Sequence, residues 1–264
     1  MHDRPMQSVL PSSLFEGVAA AACSALGVDN LESRRAAARW RAEEATDVAA
    51  AMYAVIWRNY QLSGASARRD RSRENWRWSL QSGISAANTS PEVVLERAIA
   101  RACVESGRDD WANQVPVASG LGSDTGDRRR ALDLVRRVGA GHYEFIELKI
   151  DSNTPLSAAV ELLGYACLWL LARGDPPATA RELLRARKVD LRVLAPEAFY
   201  RDFPASAAEA LLQAGVCRLG AVAGVEMSFA FEVLPSTLTG RSPPSGCDVL
   251  EELSGRSRKS ESRA

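Results

Sequence analysis

Long apolar runs are missing from this chain. The longest unbroken stretches, such as residues 165–172, fall far short of the roughly 18 to 20 residues that a bilayer-spanning helix needs, so no membrane segment is expected. A net charge is missing too. Lys plus Arg and Asp plus Glu both number 33, which excludes a global basic field of the kind that advertises nucleic-acid binding. Histidine is nearly absent: only His2 and His142 occur, and His142 lies in a tight Gly-rich turn, a poor foundation for Ser-His-Asp or Cys-His chemistry. The five cysteines, Cys23, Cys103, Cys167, Cys217 and Cys247, show no CxxC spacing. In apolar contexts such thiols act as small hydrophobes, so a reducing, cytoplasmic setting and no zinc site are expected. Residues 14–26 are alanine-rich, but Asp3 and Glu16 spoil them as a signal peptide, and they read as an ordinary helix. The glycines of 120–126 precede Asp127 and arginines instead of Gly-Lys-Ser/Thr, so neither a P-loop nor a dinucleotide fingerprint fits. That stretch reads as a hairpin loop, with Asp124 and Asp127 solvated. There is no internal repeat.

What is present, 46% hydrophobic and 25% charged residues, suffices for one sizeable domain with a helical appendage. Residues 14–62 carry helical periodicity, as in Val48, Met52, Val55, Ile56 and Tyr60. Residues 64–73, rich in small side chains and arginine, read as a boundary loop, and Trp76 and Trp78 as rings pinning the helical region to the main domain. Ser90 as N-cap, Pro91 in the first turn and Glu92 at the helix dipole start a helix that runs through Cys103. Residues 114–119, 131–135 and 143–150 read as a three-strand meander, 156–172 as a helix, 189–194 as a strand, 205–214 as a helix and 226–233 as a strand. The expected organisation is an N-terminal helical region over 1–75, an α/β domain over 76–253 and a disordered tail over 254–264. Arginines cluster at 68–73, 128–130 and 136–137, runs that read mainly as solvated surface but allow a local groove.

Chemistry enters where charge interrupts apolar strands. Asp133 breaks the run Ala-Leu-Asp-Leu-Val, while Glu147 and Lys149 break Phe-Ile-Glu-Leu-Lys-Ile. Alternation along a strand points Glu147 and Lys149 to one face, and a short loop can bring Asp133 opposite them. Buried charges left unpaired cost several kcal/mol, roughly, unless they serve one another or a metal. Phosphodiester hydrolysis wants this set: anchored carboxylates for a divalent cation, and a positive charge against the phosphorane.

This arrangement resembles the PD-(D/E)XK nuclease superfamily, in which an Asp at the end of one strand is followed by Glu-x-Lys on the next. The resemblance covers about residues 90–194 and rests on Asp133 and Glu147-Leu148-Lys149, with Leu132 in place of the usual proline. It implies a restriction-endonuclease-like mixed central sheet flanked by helices. It also implies a Mg²⁺ or Mn²⁺ cofactor held by Asp133, Glu147 and the Leu148 carbonyl, and a Lys149 that orients or helps deprotonate water. Glu96 on the preceding helix would complete the metal shell, with Glu92 as the alternate; sharing a face with apolar residues, Glu96 should point inward and Glu92 towards solvent. Some members carry Gln-x-x-x-Tyr on the following helix; Glu161 and Tyr165 occupy that spacing here, with Glu for Gln. Glu161, Tyr165, Arg129 and Arg130 are thus the expected substrate contacts. Nucleic acid, DNA first, is the expected partner, and a homodimer is compatible with it. A catalytically silent relative that binds nucleic acid or a protein is the competing expectation, favoured by the neutral charge and by Glu161.

Overall fold

A computed structural model describes residues 10–63, 75–84, 87–117, 119–120, 130–176, 181–239, 246–254 and 256–258. Three N-terminal helices, α1 (Val18–Leu26), α2 (Arg34–Arg39) and α3 (Val48–Ser63), precede α4 (Pro91–Glu105). Then come β1 (Trp111–Pro116), β2 (Ala131–Gly139), β3 (His142–Leu148), α5 (Pro155–Gly174), β4 (Lys188–Ala195), α6 (Ala205–Val222), β5 (Glu226–Val233), α7 (Asp248–Ser254) and a two-residue β6 (Ser257–Arg258). The sheet order is β1-β2-β3-β4-β5-β6, with β3, β4 and β5 parallel and the other pairings antiparallel. The mixture follows from the connections. A tight turn through Gly141, at φ +70°, joins β2 to β3, whereas a parallel neighbour demands a long crossover, which α5 and then α6 provide.

Alternation along the strands feeds two apolar layers. Tyr143 and Phe145 of β3 and Val189, Leu191 and Val193 of β4 face α5 and α6, and Phe145 meets Trp169 edge-on with ring centroids 5.7 Å apart. Leu134, Ile146, Leu148 and Leu194 face the other way, where Leu95, Ile99, Val249 and Leu253 from α4 and α7 cover them. The N-terminal helices are not a separate unit: Val18, Met52 and Ile56 share one continuous core with Leu163, Ala166 and the sheet. The apolar faces of these helices are covered by α5, so the helical region expected over 1–75 packs onto the α/β part through one core. Trp76 is buried and donates its backbone N–H to Pro116 O, and the Trp78 ring packs on Tyr143, so both hold their segment to the sheet. The loop expected at 64–73 lies outside the described residues.

Helix α5 has the length and mean hydropathy, 1.6, to cross a membrane, yet 89% of that stretch is buried inside the fold. Isolated polar residues, Ser157 and Glu161 among them, break its apolar run in sequence without lowering its average much. Its Gly164 is dictated by packing: a Cβ there would lie 2.6 Å from Phe15 Cζ. Gly164→Ala is expected to cost about 1–3 kcal/mol, seen as a melting temperature lower by roughly 2–10 °C. An unchanged melting temperature would show that Phe15 does not hold this position.

The tail also departs from expectation. Arg256 reaches Glu144 at 2.5 Å and Glu232 at 3.0 Å, and residues 257–258 add β6 to the sheet edge. A polar sequence was ordered by acids waiting on the sheet face, which composition along the tail does not reveal. Residues 259–264 lie outside the described set.

Candidate active site

The β2–β3 pairing sets the geometry. Leu134 stands opposite Ile146, so one residue on, Asp133 stands opposite Glu147, and both project to the face covered by α5. Asp133 Oδ2 accepts the Leu148 N–H at 2.9 Å, and its carboxyl also meets that of Glu147. Lys149, two residues beyond Glu147 on the same face, places Nζ 2.5 Å from Glu147 Oε1 and 3.1 Å from Glu161 Oε2. Glu161 comes from the second turn of α5, a helix anchored by its Thr154 N-cap and Pro155. The structure thus brings Asp133, Glu147, Lys149 and Glu161 together, where the sheet passes from antiparallel to parallel pairing.

Glu96 arrives from the opposite side of the sheet edge. It is on the buried face of α4 with Leu95 and Ile99, 2% exposed, and receives Asn113 Nδ2 at 2.9 Å and Gln114 Nε2 at 3.0 Å. Burial, reinforced by the charge of Asp133, pushes its pKa up to about 8. Gln114 stands opposite Asp133 across the β1–β2 pair and adopts φ +45°, a strained backbone for a residue with a side chain. Neither Asn113 nor Gln114 was singled out by the sequence; their only mark is a pair of amides in an otherwise apolar edge. Glu92, expected to lean to solvent, instead accepts from Ile150 N, Asp151 N and Ser152 Oγ at 3.1, 3.4 and 2.8 Å. It ties down the loop that follows Lys149. Glu92→Ala is expected to lower stability by about 1–3 kcal/mol through those lost bonds, checked by urea unfolding; no change would show that the loop holds itself.

The electrostatics of the cluster are unbalanced. Three carboxylates face one ammonium, with Glu96 nearby. Burial raises Asp133 to about 6 although the residue keeps some solvent contact, and Lys149 and the Leu148 N–H only partly oppose it. Glu147, 2% exposed, is pushed well above the carboxylate range by burial and then by Asp133 and Glu161. Burial works against Lys149, but the carboxylates, Glu147 first, hold its charge above the usual value. Glu161 escapes its burial penalty through Lys149 and the Tyr165 hydroxyl, 2.9 Å away, and ends below its ordinary pKa. Glu147 Oε2 is buried and no donor reaches it. The surplus acid is met by protons shared among these carboxyls, as the contacts of Glu147 with Asp133 and Glu161 allow, or by a cation.

Searches against protein-family models, curated proteins and solved structures found no match.

Among the described residues, no three His, Cys, Asp or Glu side chains form a ready metal cage. Hard-oxygen donors from two carboxylates are nonetheless what Mg²⁺ takes, with water filling its shell, and the donorless Glu147 Oε2 beside Asp133 fits such an ion.

The expected substrate contacts divide. Tyr165 is 3% exposed and spends its hydroxyl on Glu161, so it is a support for that carboxylate and not a surface contact; its place in the middle of the buried helix is the reason. Glu161 likewise is engaged by Lys149, which answers how a carboxylate can occupy this position. Arg130 sits with its guanidinium 4.2 Å over the Phe15 ring and, with Glu161, lines a cleft of about 430 Å³. Arg129 and Arg128, and the arginines of 68–73, lie outside the described residues. Arg136 leans on Trp111 and Glu144, and Arg137 on Asp109, so these two do not furnish the local groove.

Proposed function

We propose that this chain is a metal-dependent nuclease of restriction-endonuclease-like fold that hydrolyses phosphodiester bonds of nucleic acid, DNA first, with Mg²⁺ or Mn²⁺ as cofactor. The observation that carries this reading is the gathering of Asp133, Glu147 and Lys149 at one buried point, with Glu147 Oε2 lacking any donor. The order helix, three-strand meander, helix, parallel strand supports the fold assignment.

Asp133, Glu147 and the Leu148 carbonyl would hold the cation, which when bound activates water and offsets charge on the phosphorane. Lys149 contributes a fixed positive charge. Held above its usual pKa, it cannot accept a proton at neutral pH, so it orients water and meets developing negative charge without acting as the base. Glu161 and Tyr165 set the position of that ammonium. Glu96, protonated near neutrality, holds a proton beside Asp133 and becomes an anion only as the pH passes about 8.

The same contacts favour a second reading, a silent relative, because Lys149 is already engaged by two carboxylates. Incubating the purified protein with plasmid, single-stranded DNA and RNA under Mg²⁺, Mn²⁺ or EDTA separates the two. Cleavage that needs the cation and stops in EDTA is expected; no cleavage of any substrate with either cation leaves the silent relative.

A further inference from the structure

We propose that the segment around Phe15, together with α5 and Arg130, forms a seat for one unpaired base of the substrate, so that the site takes single-stranded nucleic acid or a frayed strand end. The seat deepens the nuclease reading and relies on it only for where the phosphate lies.

The segment is built in, not draped. Leu14 donates its N–H to Ser119 O at 2.9 Å, and the buried Asn59 amide donates to Leu14 O at 3.1 Å and Glu16 O at 2.8 Å. Gly164 lets the Phe15 ring press against α5, and that ring lies 6.2 Å from Tyr165. From Tyr165 the contacts run to Glu161 and on to Lys149, and Glu161 also lines the cleft, so the cleft beside Phe15 borders the charged cluster at that carboxylate. Its volume of about 430 Å³ suits a nucleoside and falls near the low end of small-ligand sites, about 300–1,000 Å³. With the Arg130 guanidinium stacked on the half-buried Phe15 ring, the pair forms a planar arginine–aromatic platform of the kind on which unpaired bases stack, and a base inside a duplex, already stacked on both faces, cannot reach it. Polarity sets the direction. The exposed Asp29 and Glu32 line this cleft and repel phosphate, but carboxylates accept from exocyclic amines, so the base lies towards them and the phosphate towards Arg130, where the third acid of the lining, Glu161, is already paired with Lys149.

Cys23 lines the same cleft and is a built-in reporter, while the exposed Cys217 lies elsewhere and is the internal control. Iodoacetamide labelling, resolved by mass spectrometry, would be followed in EDTA with a mixed-sequence single-stranded oligonucleotide or the matching duplex. Single strand should slow Cys23 alkylation several-fold and leave Cys217 unchanged, and the duplex should do neither. Phe15→Leu should weaken single-strand binding by about tenfold, the scale of one base–aromatic stack, and Phe15→Tyr should retain it. An unprotected Cys23, equal protection by the duplex, or wild-type binding by Phe15→Leu overturns the seat. Protection without cation-dependent cleavage would keep the seat and remove the nuclease reading; duplex cleavage with Cys23 unprotected would do the reverse.

Discussion

Lys149→Ala should lower turnover by about 10² to 10³ while leaving substrate binding largely intact, the scale of losing one preorganised charge stabiliser. The expectation comes from its position: Nζ sits against Glu147 and Glu161, close to the carboxylates that would hold a cation, and its charge is kept on by them. Asp133→Asn should fail differently. A neutral amide is a poorer ligand for a hard cation, so this variant should need more Mg²⁺ to reach half its maximal rate. Steady-state rates over a Mg²⁺ titration separate the two effects. Equal rates for wild type and Lys149→Ala would assign any cleavage to another site or to a contaminant.

The second large effect is on stability. Glu96 and Asp133 have folded-state pKa values raised to about 8 and about 6, and Glu147 is raised further above its ordinary value. An acid whose folded pKa exceeds its unfolded one binds more protons in the native state across the interval between them, so stability falls as pH rises through that interval. For this cluster the interval runs from about 4 to about 8. Without divalent cations, the melting temperature should therefore drop between pH 5 and pH 8 by roughly 5–10 °C, the equivalent of a few kcal/mol in a chain of this size. Mg²⁺ should restore more of it at pH 8 than at pH 5, because the carboxylates must ionise to take the ion. Glu96→Gln should flatten the metal-free curve. A melting temperature that rises from pH 5 to pH 8 without cation would contradict the surplus-acid description.

Much of this was legible along the chain, for local reasons. Ser90 followed by Pro91 fixes the start of α4, and its Oγ accepts the Val93 N–H as an N-cap should. Glu147 and Lys149 in an apolar strand imply a shared, covered face because strand alternation admits no other arrangement. What stayed hidden depends on contacts between distant segments. Asn113 and Gln114 became partners of Glu96 only through the packing of α4 against β1, and the strained φ of Gln114 has no sequence marker. Glu92 looked like a dipole partner, and it does sit in the first turn, but its carboxylate is consumed by the loop after Lys149, 58 residues away for the nearest bond. The pairing of Glu161 with Lys149 needed α5 to lie across β3, and the ordering of Arg256 needed Glu144 and Glu232 to meet on neighbouring parts of the sheet.

Calorimetric titration of Mn²⁺ into the wild-type protein and into Asp133→Asn is the most direct test of the cluster as a cation site. A single class of site in the wild type, weakened strongly in Asp133→Asn and accompanied by proton release that grows as the pH is lowered towards 6, is the expected result. Absence of saturable binding in the wild type, or equal binding by Asp133→Asn, would contradict it.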